Sequence, residues 1–361
     1  MKSIVVKKNG KAERHPIWLQ IASFLAMRSA NTRVTYTGVI REWCDYLGCE
    51  MGSDKAARAI LSATPINAAA YKLYLQKRLG QRPRYRGSSP TTPTKALTTG
   101  KIKNNKQNRA DGYQITQSNA TIRKKFSALR RIYKAIIAHS EIPLKNPFDV
   151  DLVPPPPANS GLKRPTEMID FALVKKIVQA PNLKLPYGLR DQALLAVLFG
   201  GGLRRSEAAN LRLADIRNSP SGLLYLTLRA TKAGRDANQT LPAWSAAIVR
   251  DLISQRLDQG AKPGDYLFVS YRGRGAKNWS NLPISESGIY KLFKKYCLMV
   301  GEKEFVSPHS ARATAITKLL TDGLSHREVL EFSRHSSVQM VEVYDKRRFG
   351  VDNSPARKLD Y

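Results

Sequence analysis

Apolar residues return every three or four positions along much of the N-terminal part of the chain, the period of a helix with one buried face. Residues 17–47 predict two amphipathic helices, the second opening at Asn31-Thr32 and carrying Tyr36, Val39, Ile40, Trp43 and Leu47 on one side. Residues 65–79 predict another helix. From about Arg82 to Asn119 the period disappears into Pro, Thr, Gly, Lys and Asn, so a loop or extended, mobile insertion is expected at about 82–118. The helical period resumes with Ile122, Phe126, Leu129, Ile132, Tyr133, Ile136 and Ile137, a continuous apolar stripe. Arg123, Lys124, Arg130, Arg131 and Lys134 fall on the opposite face.

Periodicity stops again over Asn146–Pro165. Pro147, the run Pro154–Pro157 and Asn159-Ser160-Gly161 there predict a semi-rigid linker. The expected organisation is a helical N-terminal domain over 1–150, a Pro-rich linker over 151–166 and a second domain with a C-terminal tail over 167–361. A chain of 361 residues is long enough for two cores. In the second domain a short strand pair, Leu223–Leu228 and Asn238–Leu241, is joined around Lys232-Ala233-Gly234-Arg235, and the stretch from Trp244 to Tyr344 reads as mostly helical. The expected fold class is mainly α with a small β-sheet, the second domain being α+β.

Charge narrows the range of partners. Sixty Lys and Arg against 28 Asp and Glu leave a formal net charge of +32, which attracts polyanions. Between Lys72 and Lys134 lie seventeen basic residues and a single acid, Asp111, a run over helix, loop and helix that suits a groove tracking phosphates. The apolar run Ala193–Phe199 is far too short to cross a bilayer, and Ile4-Val5-Val6 is too short for a signal peptide. Nucleic acid, not membrane, is therefore the expected partner. Cys44, Cys49 and Cys297 show neither metal-ligand spacing nor a disulfide framework, which fits a reducing cytoplasm and ordinary buried thiols.

Three short segments carry candidate chemistry. Gly200-Gly201-Gly202-Leu203-Arg204-Arg205-Ser206-Glu207 follows an apolar helix, and its glycines permit a sharp turn that brings Arg204 to a helix start. Ser307-Pro308-His309-Ser310-Ala311-Arg312 opens another helix, where residues three apart share a face and free N–H groups favour an anion. Phe332-Ser333-Arg334-His335-Ser336-Ser337 precedes Tyr344, nine residues beyond His335. Taken singly, each has an ordinary structural explanation: a helix-terminus salt bridge, a capping histidine, a core tyrosine.

In order and spacing, Arg204, Lys232, His309, Arg312, His335 and Tyr344 resemble the tyrosine recombinases, or phage integrases. The motifs span about residues 167–346; the N-terminal part is similar only in its helix pattern to the family's core-binding domain. The resemblance implies a helical core-binding domain and a catalytic domain forming a C-shaped clamp on double-stranded DNA. It also implies Tyr344 as nucleophile through a 3′-phosphotyrosyl intermediate and Lys232 as general acid. Arg204 and Arg312 would hold the phosphate, with His309 and His335 assisting and Glu207 orienting Arg204. Four protomers would act on two DNA sites through a four-way junction, with DNA-bending accessory proteins conceivable, in the cytoplasm on the nucleoid. No cofactor is implied, because the phosphotyrosine retains the energy of the broken bond. Partner exchange would separate this reading from a type IB topoisomerase, and covalent chemistry from a degenerate DNA-binding protein. Arg334 stands where the family usually has glycine, which suggests a differently built turn and an extra cation nearby, and Ser310-Ala311 is also less usual than an apolar residue.

Overall fold

The computed structural model describes residues 15–77, 117–140, 143–157, 166–229, 236–272, 278–302 and 306–345. The chain divides into two compact units, residues 1–161 and 162–361.

The first unit is helical: α1 (Pro16–Ala26), α2 (Ala30–Tyr46), α3 (Asp54–Leu61), α4 (Pro65–Lys77) and α5 (Asn119–Ala138). Pro16 begins α1, where its missing N–H costs nothing, and the His15 ring accepts from the Ile17 N–H. Trp43 is the hub of the core. Fully buried, it meets Tyr71 and Phe148 edge-on at 4.9 and 5.1 Å between ring centroids. Its indole N–H donates to the Tyr133 hydroxyl at 3.0 Å, which donates onward to the Ile60 carbonyl at 3.0 Å, so no polar atom of this pair is stranded. Phe148 and Val153 are buried in the same core, which thus takes in the start of the Pro-rich stretch. The expected insertion at 82–118 lies outside the described residues except at 117–118, and α3, too short to display a period, was not expected.

The second unit runs α6 (Phe171–Gln179), α7 (Gly188–Gly200), α8 (Arg205–Asn210), β1 (Ile216–Asn218), β2 (Leu224–Leu228), β3 (Ala237–Thr240), α9 (Ala243–Asp258), β4 (Val269–Arg272), β5 (Asn278–Pro283), α10 (Glu286–Met299), α11 (Pro308–Thr321), α12 (His326–Ser333) and α13 (Val338–Glu342). Helix α7 is apolar all round and buried from Ala193 to Phe199, as a central helix must be. Strands β1, β2 and β3 form an antiparallel sheet in that order, with Leu226 opposite Gln239. Leu224, Leu226 and Leu228 alternate inward from β2 into the core. The pair β4–β5 departs from the expected helical run after Trp244. Its strands are short, β4 offering only Val269 and Tyr271 as alternating apolar positions, and Ser270 and Ser280 pair through their hydroxyls at 2.7 Å. A smaller core of Ala313, Ile316, Leu320, Val329 and Val341 joins α11, α12 and α13, with Tyr344 at its edge.

Candidate active site

Helix α7 ends in a turn through Gly202, whose φ of 55° lies in the left-handed region. A Cβ there would stand 3.0 Å from the Phe332 ring, so the position suits glycine on two counts. The next residue, Leu203, is buried and anchors the turn. Arg204 then caps α8, its backbone N–H donating to Glu207 at 2.8 Å and its Nη1 at 2.7 Å to the other oxygen of the same carboxylate. Its Nη2 donates to the Arg334 carbonyl at 3.1 Å.

Helix α11 supplies the second arginine. Ser310 Oγ accepts the Ser307 N–H at 3.1 Å, so the small polar residue inside the His-x-x-Arg segment closes the helix start. Arg312 is fully buried and donates from Nη1 to the Gly202 carbonyl at 2.6 Å. Its Nε and Nη2 find no hydrogen-bond partner among the described residues. Burial, then Arg204 and Arg334, push its pKa down to about 9, which still leaves it cationic at neutral pH. A buried guanidinium with free donors is a site waiting for an anion.

Tyr344 follows α13 and is 8% exposed. Its hydroxyl lies 3.4 Å from His309 Nε2, and its ring stacks parallel to His335 at 5.9 Å between centroids. Burial holds the phenol above its ordinary pKa, against the opposing pull of Arg312, a Thr166 hydrogen bond and Arg204. Desolvation, then Arg312, Arg204 and Arg205, hold His309 below its ordinary value. His335 is pushed down to about 4 by burial and by Arg312, Arg204, His309 and Arg334, while Ser333 Oγ engages its Nδ1 at 3.1 Å. Asp345, directly after the tyrosine, is buried 3.0 Å from His326 Nε2, which ties this segment to the start of α12.

Arg204, Glu207, His309, Arg312, His335 and Tyr344, read from segments far apart in sequence, thus converge. Lys232 lies outside the described residues. On α5 the basic face divides. Arg123 donates to the Pro156 carbonyl and Arg130 to the Phe148 carbonyl, both at 2.7 Å, whereas Lys124, Arg131 and Lys134 are exposed.

Arg334 contradicts the expectation of a differently built turn. Its φ of 53° and ψ of 40° are the left-handed values a glycine would adopt, a conformation that costs other residues roughly 1–3 kcal/mol. The extra cation does stand beside the site, as expected: its side chain is 7% exposed and bonded to Glu207 at 3.0 Å. Burial raises the Glu207 pKa, but Arg334 and Arg204 outweigh it and hold the carboxyl below its ordinary value. Gln239, buried on β3, accepts from Arg334 Nη1 and was not legible as a site residue, since a single Gln in a polar strand carries no signal.

Residues 167–350 match the sequence profile described as the phage integrase family. The chain belongs to the phage integrase family. The tyrosine recombinase XerC of Pelotomaculum thermopropionicum is 34% identical over 175 residues, which cover 47% of this chain and 54% of that protein. The tyrosine recombinase XerA of Pyrococcus furiosus is 26% identical over 309 residues, 85% of this chain and 89% of that one. In fold the chain is similar to the Tn1549 transposon integrase, solved in complex with circular intermediate DNA, with a TM-score of 0.58 and 18% identity over 95% of this chain and 99% of that one. This phage integrase family member is a site-specific DNA recombinase of the tyrosine type. Among its described residues no helix is long and apolar enough to cross a membrane, and no three His, Cys, Asp or Glu residues form a metal-holding group.

Proposed function

We propose that this recombinase cleaves one strand of duplex DNA by in-line attack of the Tyr344 oxygen on a phosphodiester. The tyrosyl O–P bond forms as the P–O5′ bond breaks, leaving a 3′-phosphotyrosyl link and a free 5′ hydroxyl. The observation that carries this reading is the 3.4 Å contact between Tyr344 Oη and His309 Nε2, beside two guanidiniums. With its pKa depressed, His309 is neutral at pH 7 and can accept the phenol proton as the attack proceeds. Arg204 and Arg312 offer planar forks to the nonbridging oxygens, and the free Nε and Nη2 of Arg312 gain the acceptors they lack. Ser333 occupies Nδ1 of His335 and leaves Nε2 for a phosphate oxygen; the bound anion raises the proton affinity of the ring so that it can donate. Lys232, between β2 and β3, is assigned by resemblance to protonate the leaving 5′ oxygen. Attack by a 5′ hydroxyl on the phosphotyrosine reverses these steps and rejoins the strand, with no net change in phosphodiester bonds.

The same reading extends to the larger assembly. The N-terminal domain over 1–150 and the catalytic domain over 167–361, joined by the linker over 151–166, would grip duplex DNA as a clamp. Four protomers on two sites would exchange strands through a four-way junction. The test uses wild type and Tyr344→Phe with end-labelled DNA carrying a nicked candidate site, analysed on a denaturing gel. A protein-linked strand with wild type and none with the variant is expected. An adduct that survives in Tyr344→Phe would move the nucleophile elsewhere, and no adduct despite tight binding would favour a DNA-binding protein without catalysis.

A further inference from the structure

Arg334 makes contacts that a turn does not require. A helix C-terminus in the left-handed conformation is served well by glycine, yet here an arginine adopts it and buries its guanidinium. That guanidinium reaches Glu207 at 3.0 Å, the Gly202 carbonyl at 3.4 Å, the Phe332 carbonyl at 3.0 Å and the Gln239 side-chain oxygen. Two of these four acceptors also hold the phosphate-facing arginines. Glu207 is the carboxylate that grips Arg204, and Gly202 supplies the carbonyl on which Arg312 rests. The Arg334 backbone carbonyl accepts in turn from Arg204 Nη2, closing a ring of Arg204, Glu207 and Arg334.

We infer that Arg334 is a positioning residue that sets Arg204 and Arg312 for the scissile phosphate through Glu207 and the Gly202 carbonyl. The physical reason is twofold. One carboxylate shared by two guanidiniums neutralises neither fully, so Arg204 keeps more of its charge for the phosphate than in an isolated pair. A carboxylate clamped from both sides also fixes the rotamer of Arg204 before substrate arrives, and preorganised donors are what stabilise charge in the transition state. Arg334 itself does not touch the reacting atoms. The inference rests on the reading of Tyr344 as nucleophile.

The experiment compares wild type with Arg334→Gly and Arg334→Lys in the full chain, measuring DNA affinity, thermal midpoint and the single-turnover rate of covalent adduct formation on a nicked site. Glycine suits the left-handed backbone, so Arg334→Gly should fold and should bind DNA within about twofold of wild type, while its cleavage slows by about 10- to 100-fold. Arg334→Lys keeps the charge without the planar fork and should lie between the two. The alkaline limb of the pH–rate profile should move to higher pH in Arg334→Gly, because His335, the protonated donor, loses a neighbouring cation that depresses it. In a Glu207→Gln background, adding Arg334→Gly should slow cleavage little further, since both changes break one network. Wild-type cleavage rates in Arg334→Gly, or an undiminished penalty in the Glu207→Gln background with an unmoved pH profile, would overturn the inference. Should Arg334→Gly unfold, Arg334→Lys, which keeps the charge, carries the comparison through the rate alone, and a wild-type rate there would overturn the inference as well. Absence of any Tyr344 adduct in wild type sinks the parent reading instead, so the two failures are distinguishable.

Discussion

His335 sits among charges of one sign. Burial and the cations Arg312, Arg204 and Arg334 push its pKa to about 4, against an ordinary value of 6.5. Below pH 6.5 the unfolded chain therefore binds a proton at this residue that the folded chain refuses. Stability should fall as pH drops from 6.5 to about 4, with no contribution from His335 above that window. His309, also depressed, adds in the same direction. Glu207 acts lower down: its folded pKa lies below 4.5, so the stability it contributes is lost only as pH falls through that depressed value. Urea midpoints at pH 7.5 and pH 5 should differ more for wild type than for His335→Gln, and an equal difference would mean that His335 does not carry the effect. A bound phosphate reverses the balance by placing an anion among the cations, so DNA should shift His335 upward and narrow the pH dependence.

At the scale of elements, the first unit depends on Trp43. It joins α2 to α4 and the Phe148 segment through rings, and to Tyr133 of α5 through a hydrogen bond. Replacing a fully buried aromatic of this size leaves a cavity and takes one of two hydrogen bonds from the Tyr133 hydroxyl, which keeps its bond to the Ile60 carbonyl. Trp43→Ala should cost about 3–5 kcal/mol of stability, measured by urea denaturation. A loss under about 1 kcal/mol would mean that the aromatic cluster repacks. Such elements were legible in the sequence for the reason they are stable: Val39, Ile40 and Trp43, or Phe126, Leu129 and Tyr133, repeat with the helical period because they share one buried face. Helix α3 is only eight residues long and buries Ala56, Ala57 and Ile60, a single turn of apolar spacing, and β4–β5 is made of strands too short for alternation to stand out. At the site, Arg204, His309, Arg312 and His335 could be read because chemistry fixes residue type and spacing. The burial of Arg334 and Gln239 could not, because it depends on contacts across some 95 residues between β3 and the end of α12.

Over the whole molecule the excess of 32 positive charges implies that phosphate contacts and counterion release dominate DNA affinity. The basic residues are not equivalent, and α5 separates two kinds. Arg123 and Arg130 donate to carbonyls of their own unit, whereas Lys124, Arg131 and Lys134 are exposed and open to phosphate. Each phosphate contact removed should lower the slope of log affinity against log salt concentration by about 0.9. In a Tyr344→Phe background, which prevents covalent capture, replacing Lys124, Arg131 and Lys134 together by alanine should reduce that slope by about 3 and weaken binding to all duplexes alike. Arg123→Ala or Arg130→Ala should instead lower the urea midpoint, since each strips a charge-assisted bond from the Pro156 or Phe148 carbonyl. A slope unchanged by the triple substitution would remove the exposed face of α5 from the DNA contact and assign the salt dependence to basic residues elsewhere in the chain.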